Sequence, residues 1–583
     1  MFQQLLDPVF GSPFLSALVA ALPLATLFVM LGVFRVKAHI SALTSLAVVV
    51  VLAVAVWRMP PLQALSATGE GALYGVFPIL WILINALWIY KLTVVTGWFE
   101  VLGARIRAIS DDQRILAILI AFCFGALLES LAGFGAPVAI SAAMLIAAGM
   151  KPFKSAIVSL LANTAPVAFG AMGAPIITLA AVTNIDIDLL SKMAGRQTPF
   201  VAVLVPFILV FLVDGKRGLR ETWKIALTAG VTFGLAQFVT SNFIAVEITD
   251  IVAAVATVAV VLLVLHFSKP ANSIPLSAAP LVPTPVLAGA GASTGGGAGL
   301  ISGQDPSPSG ASDVLVGGGA GGPVLPQPET EPVPASSRST WSAIAPYLII
   351  IGVFSISQLP FVKHWLTDNG SFVFRWPGLD VVSPEGKAIA AQTFKLDHIK
   401  ATGTLLLIAG MITAAVYGVG LKQALVAYRD TLHQLRFTIV TVMSVLALSF
   451  VMNLSGQTAT LGFALASTGA YFALLSPVIG WLGVAITGSD TSSNSLFGLL
   501  QVTAANQSGL SPVLMATSNS SAGVLGKMLS PQNLAVAAAA VGMTGKEGDI
   551  FRKLIGWSLA LLAFVVLLVW LQSTSVLGWM VPS

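Results

Sequence analysis

ESLAGFGAPVAISAAMLIAAGMKPFKSAIVSLLANTAPVAFGAMGAP, residues 129 to 175, is the stretch whose reading decides the fold. It opens with a carboxylate in an apolar run, passes through backbone broken by Gly and Pro, and reaches Asn163, Thr164 and Pro166 inside another hydrophobic segment. Backbone N–H and C=O groups left unpaired in hydrocarbon are costly, so such breaks persist at membrane depth only where they are buried in protein or line a cavity. Discontinuous helices of this kind are what secondary transporters build binding sites from.

The sequence on either side is hydrophobic throughout. Of 583 residues 56% are hydrophobic and 9% charged, with mean hydropathy +0.92, whereas a soluble globule carries roughly a quarter charged residues. The chain therefore reads as a polytopic membrane protein. Continuous apolar runs rule out a β-barrel, which needs short alternating segments. Runs near the ~20 residues that cross a bilayer lie near 14–34, 40–57, 71–95, 155–183, 198–213, 225–245, 250–267, 342–359, 401–419, 437–453, 511–541 and 554–572. The first is expected to be a retained span, since no basic stretch or cleavage site marks it as a signal.

Two segments, 115–150 and 467–507, are long enough for two crossings but carry polar, Gly-rich centres, and read as re-entrant hairpins. Each precedes a broken span, 155–183 or 511–541. With the N-terminus outside, most of the 29 basic residues fall on the cytoplasmic side, Arg105, Arg107, Lys216 and Arg217 among them. Arg114 stands at one foot of the first hairpin and Lys151 and Lys154 at the other, so that hairpin opens to the cytoplasm; the second has uncharged flanks and opens outward. The halves are thus inverted. A short internal match agrees: NTAPVAFGAMGAP at 163–175 aligns with NSSAGVLGKMLSP at 519–531, pairing Asn163 with Asn519, Gly170 with Gly526, Met172 with Met528 and Pro175 with Pro531.

The expected fold is an all-α polytopic membrane protein of about 12 spanning helices plus two re-entrant hairpins in two inverted-topology repeats. Residues 1–268 form the first transmembrane half, 269–340 a flexible cytoplasmic linker of Pro, Gly, Ala and Ser, and 341–583 the second half. In the external loop 360–400, Trp365, Phe372, Phe374 and Trp376 are expected to pack as a small cap. Both termini are expected to be periplasmic.

Ionisable groups inside a membrane are expensive and are functional candidates by default. Glu129 approaches the first hairpin tip, Asp490 lies in the second tip, GSDTSSN, and Lys527 lies midway along 511–541. For a small carboxylate, half-helix N-termini at Gly133 to Pro137, Gly135 among them, and at Ser520 to Gly523 would supply N–H groups, and Lys527 a full charge. Asn163, Thr164, Ser489, Thr491, Asn494, Asn519, Ser520 and Ser521 offer donors and acceptors that would read a hydroxyl beside the carboxylate. Glu129 or Asp490 would bind and release a coupling proton. The plainer alternative is a structural ion pair of Lys527 with Asp490 or with Glu129.

Other features carry less. Cys123 sits among apolar neighbours and reads as a small buried hydrophobe. Asp111 and Asp112, in an Arg-containing loop, read as a solvated acidic face. No Walker motif and no paired metal-binding histidines occur, so no cofactor is expected and ATP is not the evident energy source. An enzyme would need a cluster of acids or histidines at one interface, and none is present.

ESLAGFGAPVAI (129–140), KPFKSAIVSLLANTAPVAFGAMGAPI (151–176), GSDTSSNSLFG (488–498) and SNSSAGVLGKMLSPQNLAVA (518–537) resemble the signatures of the bacterial lactate permease family, in the same order and over most of the hydrophobic chain. The resemblance implies proton symport of L-lactate, D-lactate or glycolate, small 2-hydroxy monocarboxylates, through the bacterial inner membrane. An elevator-type movement is implied by analogy with related transporter folds. The expected partners are that substrate, the proton and membrane lipid, with a homodimer left open and nucleic acid excluded. A Na⁺-coupled carboxylate transporter or a cation/proton antiporter of related fold remains the alternative.

Overall fold

A computed structural model describes residues 1–34, 36–132, 135–267, 340–384, 386, 389 and 392–582. The linker 269–340 lies, but for Thr340, outside the described residues. Among those residues the membrane body is helical. Strands occur only as two two-stranded sheets: Phe2–Gln3 runs parallel to Val381–Val382, and Phe372–Arg375 antiparallel to Thr393–Leu396. In the second sheet Phe374, Trp376 and Phe394 stack on one another and on Tyr74, and Trp376 Nε1 donates to Ser66 Oγ at 3.1 Å. Trp365, expected to join this cap, is exposed on the helix Pro360–Asn369, where its ring meets solvent.

Nine helices among the described residues are long and apolar enough to cross a membrane, and up to eleven if two bent pairs each count as one span. That is fewer than the expected count for a concrete reason. Thr198–Phe243 counts there within one span, and its 46 residues would make a straight helix of ~70 Å at 1.5 Å per residue, more than twice a ~30 Å hydrocarbon core. It is not straight. Gly215, at φ 61°, turns the chain back on itself. Thr198 Oγ1 donates to Gln237 Oε1 at 3.0 Å, and a Cβ on Gly230 would lie 2.6 Å from the Val203 carbonyl oxygen. The two legs are antiparallel and side by side, and they match the separate runs expected at 198–213 and 225–245.

The turn is held by a buried cation. Arg114, fully buried, binds Asp112 (Nη2 to Oδ2, 2.7 Å), Asp214 (3.1 Å) and Glu221 (2.8 Å). Asp112 also accepts from the Arg114 backbone N–H at 2.9 Å, capping the helix that begins at Gln113. The expectation of a solvated acidic face at Asp111 and Asp112 therefore fails for Asp112, which is 2% exposed: the guanidinium two residues on folds back over it. Cys123 is buried among apolar side chains.

The interior carries two helical hairpins, Gly125–Ala132 with Ala136–Ala147 and Phe472–Thr487 with Asp490–Gln507. A broken helix follows each. In the first, Pro152–Ala162 and Val167–Thr183 meet at 61°. In the second, Pro512–Lys527 stops and Pro531–Ala540 restarts, Ser530 capping the Asn533 N–H and Pro531 taking a first-turn position that needs no N–H. The pieces interlock: Pro531–Ala540 packs on Ala136–Ala147 and Pro152–Ala162, while Gly170–Thr183 packs on Asp490–Gln507. Small residues permit the closest contact. A Cβ on Gly526 would stand 2.2 Å from the Trp481 carbonyl oxygen, and one on Gly480 2.2 Å from that of Asn519, so Phe472–Thr487 and Pro512–Lys527 touch backbone to backbone.

Candidate functional site

Where the two hairpins and the two broken helices meet, a small cleft lies between Glu129, Val167, Gly170, Ala171 and Pro175 on one side and Gly488, Ser489, Asp490, Thr491 and Lys527 on the other. Its polar lining comes from both halves of the chain. Its backbone is strained there: Ala171 and Met172 hold left-handed conformations (φ 44° and 56°), which residues with a Cβ seldom adopt, and Gly173 follows at φ 75°. The helix regains its regular geometry around Pro175, as the second restarts at Pro531.

Three ionisable side chains face this cleft, each almost fully buried: Glu129 (3% exposed), Asp490 (3%) and Lys527 (6%). Lys527 Nζ is paired with Glu129 Oε1. The other oxygen of Glu129 accepts from Asn163 Nδ2 at 2.9 Å, and Gly170 is small enough for the carboxylate to lie against it. Asp490 is different. Its Oδ2 accepts from Ser520 Oγ at 2.5 Å while its Oδ1 is buried without a partner. Gly523, where a Cβ would be 2.8 Å from that oxygen, makes room for it. One ammonium and two carboxylates thus face the cleft, and the ammonium is paired with Glu129.

The helix Asp490–Gln507 begins at the cleft, its Ser489 hydroxyl accepting the Ser492 N–H at 3.2 Å, so the positive end of its dipole points at the space beside Lys527. Ser489 and Thr491 line that space. Asn163 and Ser520 reach it only through the carboxylates they hold. Asn494 and Asn519 do not line it: Asn494 Nδ2 donates to the Pro175 carbonyl at 3.0 Å, Asn519 Nδ2 to Asn494 Oδ1 at 2.9 Å, and Gln501 Nε2 to Asn519 Oδ1 at 3.2 Å. That chain ties the second hairpin and broken helix to the first broken helix. Thr164 turns its hydroxyl back to the Leu161 carbonyl (2.7 Å), and Ser521 is buried within its helix. Gly135, at φ 87°, packs on Asn533 and Val536 and not on the cleft; Gly133 lies outside the described residues. The half-helix N-terminus expected at Ser520 to Gly523 is corrected as well. Those residues lie inside the continuous helix Pro512–Lys527, and the break comes at Met528–Ser530, because the Ser530–Pro531 start sets where the next helix begins.

The family profile described as L-lactate permease matches residues 16–279 and 328–576. The chain belongs to the lactate permease family. It is 40% identical to the glycolate permease GlcA of Escherichia coli (strain K12), over 97% of each chain, and 38% identical to the L-lactate permease of Bacillus subtilis (strain 168), over 99% of each. The L-lactate permease of Escherichia coli (strain K12) is 37% identical over the full length of both. A solved transporter, YdaH of Alcanivorax borkumensis, aligns with 88% of this chain and 86% of its own at 13% identity and a TM-score of 0.40, a likeness too distant to carry an inference. The protein is a multi-pass membrane transporter and not an enzyme.

Two buried carboxylates of this permease are not among the three that the sequence reading singles out. Glu70, fully buried in the helix Pro61–Tyr74, has no partner for either oxygen. Asp250, fully buried in the first turn of Thr249–Phe267, accepts from Gln237 Nε2 at 3.2 Å through Oδ1 and has no partner for Oδ2. The signal was present in both cases, a lone acid at the edge of an apolar run.

Proposed function

We propose that this permease takes up L-lactate, D-lactate and glycolate by proton symport across the bacterial inner membrane, through two inverted repeats whose hairpins and broken helices form the substrate site. The observation that carries the reading is the Glu129–Lys527 pair at the wall of the cleft. A monoanion entering beside Lys527 competes with Glu129 for the one ammonium. Burying an uncompensated carboxylate costs several kcal/mol, so Glu129, once displaced, is neutralised by a proton. Substrate and proton then occupy the site together, and the loaded site has the same net charge as the empty one. The N-terminus of Asp490–Gln507 adds N–H donors for the substrate carboxylate, and Ser489 and Thr491 are placed to bond its 2-hydroxyl. A site that bonds a hydroxyl rejects an analogue lacking it far better than it sorts one methyl more or less. Lactate and glycolate are therefore both accepted.

A second reading has its own observation: the unpartnered Oδ1 of Asp490 would ligate Na⁺ as readily as it would carry a proton. Titrating the purified protein with L-lactate in weakly buffered solution separates the two. Lactate binding that makes the medium alkaline supports proton symport. Binding with no proton uptake, present only when Na⁺ is added, moves the coupling ion to Asp490.

A further inference from the structure

We propose that Asp250 is a second proton-binding carboxylate of the transport cycle, holding the coupling proton while Glu129 is tied to Lys527 and giving it to Glu129 when substrate takes the lysine. This deepens the symport reading and rests on it. Asp250 is 0% exposed, its Oδ2 has no hydrogen-bond partner, and the Oδ1 bond from Gln237 is a neutral one. A carboxylate so placed is tolerable only when neutral or compensated. Its helix packs directly on Gly125–Ala132, which carries Glu129. Two buried carboxylates, Glu129 and Asp490, and the Lys527 ammonium line the cleft, and Asp250 stands behind them on a helix packed against the one that carries Glu129.

The second observation is a mechanical link. Gln237 Nε2 is shared between Asp250 Oδ1 (3.2 Å) and the carbonyl of Ala165 (3.3 Å), inside the break that follows Asn163, while Gln237 Oε1 accepts from Thr198 at 3.0 Å. Asn163 in turn holds Glu129. One amide therefore joins Asp250 to the helix break at whose start Asn163 positions Glu129. The remaining helices packed on Thr249–Phe267 bring few titratable groups: Cys123 from Ala117–Phe124, Tyr347 from Thr340–Ser357 and none from Gly170–Thr183. Those of Thr198–Phe243 gather around the Gly215 turn, far along the chain from Gln237.

The step balances. The Asp250 O–H bond breaks and an O–H bond forms on Glu129, leaving Asp250 as the carboxylate; a proton from solution then restores the acid, so one proton enters with each monoanion. Asp250 is a proton-carrying residue that does not touch substrate.

The test is Asp250→Asn in the full-length protein, reconstituted in proteoliposomes beside the wild type. The amide keeps the acceptor that Gln237 bonds. The expected result is exchange of labelled for unlabelled L-lactate within twofold of wild type, accumulation driven by an inward proton gradient lowered at least tenfold, and a flattened dependence of uptake on external pH. Asp250→Asn accumulating like the wild type overturns the assignment, as does equal loss of exchange and accumulation, which would mark a structural role. Should that variant not fold, Asp250→Glu decides: accumulation retained with a displaced pH profile supports the proposal, and an unchanged profile overturns it. A wild-type protein that accumulates nothing under a proton gradient would overturn the symport reading and this one with it, whereas the other negative outcomes overturn this one alone.

Discussion

Glu129→Gln separates the two halves of the proposed cycle. The glutamine side chain has nearly the shape of the acid, leaves an oxygen for Asn163 Nδ2, now 2.9 Å from Oε2, and fits against Gly170, but it removes the charge that neutralises Lys527. Breaking a buried pair by removing one partner costs ~3–5 kcal/mol, because the remaining charge is left uncompensated. In this variant that cost falls on the empty site and is relieved when a substrate carboxylate arrives. In the wild type the substrate must first displace Glu129. If only ~1.4 kcal/mol of the relief appears in binding, L-lactate affinity rises about tenfold. The coupling proton, in contrast, has lost its acceptor. Calorimetric titration of the purified variant should show tighter lactate binding, and its melting temperature should be lowered when empty and largely restored by saturating lactate. In proteoliposomes, exchange should persist and proton-driven accumulation disappear. A folded variant that accumulates lactate like the wild type refutes the role of Glu129 in coupling. One that binds lactate tenfold more weakly refutes the competition for Lys527.

Two further substitutions test the site and its scaffold. Lys527→Met should lower lactate affinity at least ~100-fold, about 2.7 kcal/mol, in the same calorimetric titration; wild-type affinity would remove Lys527 from the site. Gly526→Ala places a Cβ 2.2 Å from the Trp481 carbonyl oxygen and should destabilise the protein by ~1–3 kcal/mol through overpacking, read as a fall in melting temperature. Gly32→Ala, with nothing within 4 Å of the new methyl, should melt like the wild type.

The helical body was legible because charge is so scarce in the chain that apolar runs delimit themselves. The charged candidates stood out for the same reason, each alone in a hydrophobic run. What escaped reading depended on chain turns and on contacts distant in sequence. The two legs of Thr198–Phe243 were legible as separate apolar runs, 198–213 and 225–245, but the clasp of Arg114 on Asp214 and Glu221 at the turn between them was not. A half-helix N-terminus is expected among Ser520 to Gly523, yet small residues in a membrane helix also serve close packing, as Gly523 and Gly526 do. Asn494 and Asn519 look like ligands in the sequence. They are spent on each other, on Gln501 and on the Pro175 carbonyl, partners that no local pattern announces. Glu70 and Asp250 were lost at boundaries: spans placed at 71–95 and 250–267 put one acid just outside and the other at the very end, where water would be expected to solvate it.

The central claim is that a 2-hydroxy monocarboxylate and a proton cross together, and radiolabelled L-lactate uptake into proteoliposomes tests it most directly. Vesicles holding the full-length protein would be given an inward proton gradient or an inward Na⁺ gradient, each with and without excess unlabelled glycolate. The account predicts accumulation under the proton gradient without Na⁺, abolished by a protonophore and competed by glycolate. Accumulation that requires Na⁺ and survives the protonophore would contradict it.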